Sequence, residues 1–349
     1  MSHLNTAESF LFEHVRPIAE TIDQDLDALL GILKKMGDER ILGLRVPKEY
    51  GGAGLSPTEF RRFQETCSRC SGSLAFLQTQ HQSGCNFIGQ TDKEPLKSDL
   101  LPKLAAGELT VGIAFSQLRR KGPPVLTACE TDGGYLISGL APWVTGWQIF
   151  DKCITAAALP SGDSLWFVHD LRESESQKAS EVMHLAAMEI VQTVAISFSE
   201  FFVPQSDVLY TRPPGWIHDS DMINLALQSP FALGCAQGAV DLLQKLADEK
   251  KIASVISAAE ALQSELNAIR DEAYSAMEDK EDHQRSLRAR AAAIEIMGRC
   301  AHAAVIASSG AGNSMKHAAQ RIYREAIVFS VSAQTEPILS ASLEKLVNR

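Results

Sequence analysis

The stretch TVGIAFSQLRRKGPPVLTACETDGGYLIS, residues 110–138, is where the chain leaves helical periodicity. Thr110 to Phe115, Leu126 to Cys129 and Tyr135 to Ser138 are short apolar runs, and Asp132-Gly133-Gly134 is a turn signal between two of them. The pattern continues outward. Ile154 to Ala158 and Leu165 to Val168 flank Pro160-Ser161-Gly162-Asp163, and further runs cover about Glu189 to Val194 and Ala195 to Val203. Many short strands at this spacing predict a small barrel or sandwich.

Helical patterns lie on both sides. Upstream, Leu29, Leu30, Leu33 and Met36 recur at helical spacing. Ser56-Pro57-Thr58-Glu59 reads as a helix start, with Ser as N-cap, Pro at the first position and Glu placed for a capping box. Downstream, Val255, Ala259, Leu262, Leu266, Ile269, Ala273 and Met277 form one apolar stripe, and Leu287, Ala291, Ile294, Gly298, Ala301 and Val305 form another. Long helices with short connections predict a four-helix bundle. The expected fold class is therefore α+β and mainly α: an N-terminal helical domain over 1–110, a central small β-barrel or sandwich over 111–212, and a C-terminal four-helix bundle over 213–349.

Composition narrows the function. The 349 residues carry a net charge of -10, which argues against nucleic acid and against docking on an anionic membrane. No apolar run reaches the roughly 18 residues a membrane span needs, and no basic region precedes an apolar core at the N-terminus, so a cytoplasmic protein is expected. The seven cysteines are odd in number and irregular in spacing, which suits free thiols. Cys67-Ser-Arg-Cys70 lacks a second pair, with only His81 as a third ligand by type, so no metal site is expected.

A helical domain, a small β domain and a helical bundle in that order, with the local motifs, resemble the acyl-CoA dehydrogenase family. Val46-Pro47-Lys48-Glu49-Tyr50-Gly51-Gly52-Ala53-Gly54-Leu55 is similar to its VPxEYGGxGL segment, and Leu101 to Glu108 to its LPxLAxGE stretch. Gly134 to Gly139 with Trp143-Val144-Thr145 resembles GYxLNGxKxWxT, and Phe198 to Pro204 resembles the exit of the β domain. Leu233-Gly234 with Gly238 resembles the first bundle helix, and Gly310-Ala311-Gly312 and Gln320 to Ala326 resemble GGxGY and the RxxRDA helix. The matches are collinear and cover nearly the whole chain.

The resemblance implies a flavin-dependent oxidoreductase acting on CH–CH bonds, with FAD beside Phe115, Ser116, Trp143, Val144 and Thr145. In that reading a strand end offers backbone polar groups to the flavin edge, Thr145 donates to the ring and Trp143 packs on its face. The bland alternative makes Trp143 a β-domain core residue and Thr145 an ordinary strand residue. The resemblance also implies a homodimer or homotetramer, a small-molecule or acyl-thioester substrate, and an electron-transfer or flavin-reductase partner.

Three departures stand out. After Ser116 the family's E-P-G-x-G-S-D loop is replaced by the shorter Gln117-Leu118-Arg119-Arg120-Lys121-Gly122-Pro123-Pro124, whose cations either hold an anion or are merely solvated. The Arg-x-x-Phe-Gly region is shortened to Glu249-Lys250-Lys251-Ile252-Ala253-Ser254, which leaves FAD, FMN, reduced flavin or no flavin open. The family's two glutamate positions fall on Ala333 and Asn224, neither of which accepts a proton usefully, so Glu336 and Asp221 remain as candidates for a displaced base, with Glu325 also near in sequence. Ordinary acyl-CoA dehydrogenation is doubtful on that count. A reduced-flavin-dependent monooxygenase of the same fold, with His81 or His317 as pocket histidines by type, and a non-catalytic acyl- or partner-binding relative are the competing readings.

Overall fold

The computed structural model describes residues 2–279 and 281–347. The N-terminal part contains α1 (His3–Phe10), α2 (Ala19–Ile22), α3 (Leu26–Asp38), α4 (Pro57–Cys70), α5 (Gly72–Gly89) and α6 (Glu94–Ala106). The capping box at α4 forms as expected: Ser56 Oγ accepts from the Glu59 amide while Glu59 Oε2 accepts from the Ser56 amide.

The strands are β1 (Val111–Ala114), β2 (Leu126–Thr131), β3 (Gly134–Val144), β4 (Lys152–Ala158), β5 (Ser164–Asp170), β6 (Gln177–Ala179), β7 (Val194–Pro204) and β8 (Val208–Arg212). They run in the order β6-β7-β3-β2-β4-β5-β8, with β1 pairing β4 in parallel. One residue pair, Thr127 with Ala158, joins β2 to β4, so two leaves meet at a narrow seam. In β4 and β5 one set of side chains (Cys153, Ala157, Leu165, Phe167) enters the main core with Ile137 and Val144. The alternate set (Ile154, Ala156, Trp166, Val168) packs with Leu100, Leu101 and Leu104 of α6 and Ile88 of α5. Burial on both faces explains why these strands read as continuous apolar runs rather than alternating ones.

The expected strand over Glu189 to Val194 does not form. Residues Glu189–Val191 make a 3-10 turn between Met188 and Gln192, both with positive φ, and β7 begins at Val194. The run was too short to propagate through two left-handed residues. Strands β6 and β8 lacked an apolar alternation long enough to be read from sequence; pairing with β7 and β5 makes them strands.

The C-terminal part contains α7 (Trp216–Ile223), α8 (Ser229–Lys250), α9 (Ala253–Glu278), α10 (His283–Ser308), α11 (Ala318–Val331) and α12 (Glu336–Val347). Helices α8 to α11 pack on one another, and α8 also packs on α4. The motif glycines on α8 allow that approach: a Cβ on Gly234 would meet Glu65 O at 2.1 Å, and one on Gly238 would meet Arg69 O at 2.8 Å. Ser68 Oγ donates to Phe231 O across the same seam at 2.7 Å. By length and composition alone the helical stretch 283–313 is long and apolar enough to cross a membrane, although polar and charged residues interrupt it. It is nevertheless a core element, packed against α8, α9, α11 and α12 and carrying a buried Arg290.

Candidate functional site between the β domain and the bundle

A β-bulge sets the orientation of the site's aromatic residue. Ile137 and Ala141 of β3 point inward, and strict alternation would bury Trp143 as well. The β3–β7 register shifts between Ala141 and Val144. Val144 is buried instead, and Trp143 is 53 % exposed, which rules out the reading of Trp143 as a core residue. Thr145 follows the last residue of the strand, buried, with its Oγ1 3.1 Å from Thr193 Oγ1.

Ser116 opens a 3-10 turn, Ser116–Arg119, that packs against β3. Its Oγ is buried and has no hydrogen-bond partner among the described residues. A buried hydroxyl without a partner is costly, so the turn carries an unmet polar group while packing on the strand that holds Trp143. Phe115, just before it, lies 5.0 Å from the Trp166 ring and 5.8 Å from Phe87, in the aromatic cluster beneath β5.

The basic loop and the candidate bases account for each other. Arg119 makes a two-point ion pair with Asp221, and Lys121 pairs with Glu336 at 2.8 Å. The Lys121 pair is open to water; hydrogen bonding holds Glu336 below its ordinary pKa and Lys121 above. A carboxylate gripped at both oxygens by a guanidinium is poorly placed to take a proton from carbon. Asn224 caps α7, its Nδ2 donating to Ser220 O at 2.7 Å. Ala333 is exposed just past α11, with φ 49. Glu325 is buried, receiving Gly72 N–H at 2.9 Å and Arg321 Nη1 at 2.8 Å, so it ties α11 to α5.

Arg120 forms no ion pair among the described residues and lines a cavity of about 180 Å³ with Gln117, Asp163, Ser164, Trp216 and His218. Gln117 donates through Nε2 to Ala156 O at 2.7 Å, but its Oε1 is buried without a partner. The N-terminus of α7, at Trp216, has no side-chain cap. A cation, an uncapped helix start and an unmet acceptor thus border one small cavity. In the sequence Gln117 stands out only as part of the altered loop after Ser116, and His218 belongs to no motif.

Both pocket histidines by type are elsewhere. His81 is fully buried and accepts Val111 N–H at Nδ1, 3.2 Å; burial lowers its pKa to about 4. His317 is the N-cap of α11, accepting from the Ala319 amide at 3.1 Å. Cys67 and Cys70 are buried free thiols whose pKa values burial raises, that of Cys70 to about 12. Among the described residues no group of three or more His, Cys, Asp or Glu could hold a metal ion.

A helical domain, a seamed β domain and a helical bundle in that order define the acyl-CoA dehydrogenase fold. Residues 3–108 match the family model described as "Acyl-CoA dehydrogenase, N-terminal domain". The chain is 27% identical over 362 residues to 3-(aryl)acrylate reductase of Clostridium sporogenes (strain ATCC 15579), covering 95% of this chain and 94% of that protein. It is 27% identical over 215 residues to the mitochondrial isovaleryl-CoA dehydrogenase of Bos taurus, covering 58% of this chain and 50% of that one. The structure of a glutaryl-coenzyme A dehydrogenase in complex with glutaryl-CoA superposes with a TM-score of 0.82 at 20% identity, over 99% of this chain and 94% of the other. The family model thus covers the N-terminal helical domain, and over its whole length the chain has the acyl-CoA dehydrogenase fold.

Proposed function

We propose that this protein is a flavin-dependent oxidoreductase acting on a CH–CH or C=C bond, with FAD at the junction of the β domain and the bundle. The observation that carries the reading is the pairing of an exposed Trp143 with the buried, unpartnered Ser116 Oγ on adjoining elements. An isoalloxazine has a flat apolar face and a polar edge, and these two groups suit one each. Thr145 Oγ1, now shared with Thr193, is a further donor for the ring edge. The cavity at Arg120 suits the phosphate end of the cofactor or of a thioester ligand. When bound, the flavin supplies or accepts the hydride; the chain's residues hold the ring and keep water from one face. The names of the relatives, a reductase of 3-(aryl)acrylates and a dehydrogenase of isovaleryl-CoA, support the same class of chemistry.

Thioester dehydrogenation with a carboxylate base is not the favoured reaction. Ala333 and Asn224 stand at the base positions, and Asp221 and Glu336 are engaged by cations. A partner that supplies or removes electrons, an electron carrier or a flavin reductase, completes this reading. The exposed stripe Tyr323, Ile327 and Val331 along α11 supports assembly as a homodimer or homotetramer. The visible spectrum of the purified protein, with and without added FAD, tests the proposal. A flavin spectrum perturbed from that of free FAD is expected; protein that never retains or perturbs FAD overturns it.

A further inference from the structure

Arg290 is a buried guanidinium with no carboxylate to answer it among the described residues. It is 1 % exposed on α10, and no acidic group lies within ion-pair distance among the described residues. Its Nε and Nη1 have no hydrogen-bond partner there. Nη2 donates only to two main-chain carbonyls, Phe329 O at 3.4 Å and Ser332 O at 3.3 Å, both longer than an ordinary N–H···O bond. Burial alone lowers its pKa, to about 9, with no opposing charge. An unanswered charge in such a place is strongly destabilising, so a chain that keeps one is short of an anion.

The surroundings indicate which anion. Arg290 follows Leu287 by three residues and precedes Ile294 by four, so it shares their face of α10. Leu287 and Ile294 pack in a small apolar cluster, separate from the main core, with Leu225 before α8 and Ile338 of α12. Asn224 and Ala333, the two neutral residues at base positions, are close in sequence to Leu225 and to the Ser332 carbonyl that Arg290 reaches. Three residues beyond Ser332, Thr335 Oγ1 is also buried without a partner. The cover is thin: Ile338 is the only residue α12 buries among those described. The family's negative charge is missing from this region, and a positive one lies beneath it.

We propose that Arg290 binds the carboxylate of a ligand that is a free carboxylic acid with an apolar body, admitted by displacement of α12. Calling that ligand the substrate rests on the flavin-oxidoreductase reading; the binding itself does not. The geometry asks for an anionic oxygen on Nε or on Nη1, which lie on different edges of the guanidinium, with the ligand's hydrocarbon part among Leu287, Ile294 and Ile338.

The test is thermal unfolding and calorimetric titration of the full chain in chloride-free buffer, with and without added FAD, using 3-phenylpropanoate, 3-phenylpropanamide and chloride as probes. Binding of the acid, no binding of the amide and no equal response to chloride are expected. Arg290→Met should lose at least about 10-fold in acid affinity, while its ligand-free melting temperature rises by roughly 2–4 °C because an unpaired buried charge is gone. Arg290→Lys should keep part of the affinity. Three outcomes overturn the proposal: an amide or chloride response equal to that of the acid, an acid response that survives in Arg290→Met, or an Arg290→Met protein that melts lower, which would make Arg290 a structural cap on α11. Failure here with a bound flavin leaves the functional reading standing; acid binding without any flavin does the reverse.

Discussion

Arg119 and Asp221 meet at two points, Nε to Oδ2 and Nη2 to Oδ1, each at 2.7 Å, and so tie the loop that leaves β1 to the first helix of the bundle. Both side chains are mostly sequestered, at 26 and 17 % exposure. The pair converts two apparent functional groups, an anion-binding cation and a displaced base, into one cross-domain tie.

Breaking that tie should cost stability before it costs chemistry. Arg119→Met and Asp221→Asn are each expected to lower unfolding free energy by about 1–3 kcal/mol. The double variant should lose less than the sum of the singles, because each single strands the other charge. Denaturant unfolding of the four proteins checks this. Additive losses would show that the two side chains do not act as a pair.

Trp143→Ala should weaken FAD binding by about 3- to 10-fold with little change in melting temperature, since the ring is exposed and contributes little to the core. Thr145→Ala should weaken binding or shift the flavin spectrum. Fluorescence titration with FAD reads both. Unchanged affinity in both variants would place the flavin elsewhere.

The loop cations should differ in their effect on flavin or nucleotide affinity. Arg120→Glu, at the cavity, should weaken it and flatten its dependence on salt. Lys121→Glu, whose partner is the exposed Glu336, should do little. Equal responses at both positions would mean the loop is only solvated.

Wild-type protein should show little flavin reduction by thioesters of several chain lengths. A positioned general base contributes about 10²–10⁴ in rate, and position 333 has none. Ala333→Glu should raise reduction toward that range. Rapid reduction by the wild type in stopped-flow titration would contradict the proposal. Ala333 also sits at φ 49, so Ala333→Asn should stabilise by a few tenths to about 1 kcal/mol.

Acid should destabilise the fold through two histidines. Burial lowers the pKa of His81 and of His169 to about 4, against about 6.5 in an unfolded chain. Here the folded value lies below the unfolded one. The unfolded state therefore takes up protons first as pH falls, and stability is lost between about pH 6.5 and 4 and levels off below. The full effect is about 3 kcal/mol per histidine. His169→Gln should remove about half of this pH-linked loss, seen as urea midpoints that shift less from pH 7 to pH 4. An undiminished shift would assign the acid sensitivity to other groups.

Much of the architecture was legible because it follows from local rules. The capping box at Ser56 and the stripe from Ala259 to Met277 need only neighbours a few residues away. The strand at β4 could be read because both faces are apolar. The 3-10 turn at Glu189 and the strands β6 and β8 could not, since left-handed residues and a pairing partner decide them. Arg290 carried a signal that went unused, a charge set into the apolar stripe between Leu287 and Ile294.

By itself the sequence determined the three-part order of helix, strand and helix, the motif residues around Trp143, and the absence of a carboxylate at positions 224 and 333. These are properties of composition and spacing along one chain. Only the tertiary structure decided that Trp143 faces outward, that Asp221 and Glu336 are held by Arg119 and Lys121, and that Arg290 is buried with no acid paired to it among the described residues. Each of these depends on a bulge, or on an encounter between residues as far apart as Lys121 and Glu336. Spacing along the chain does not encode which charges meet, because that is settled only when packed elements bring their faces together and exclude water between them.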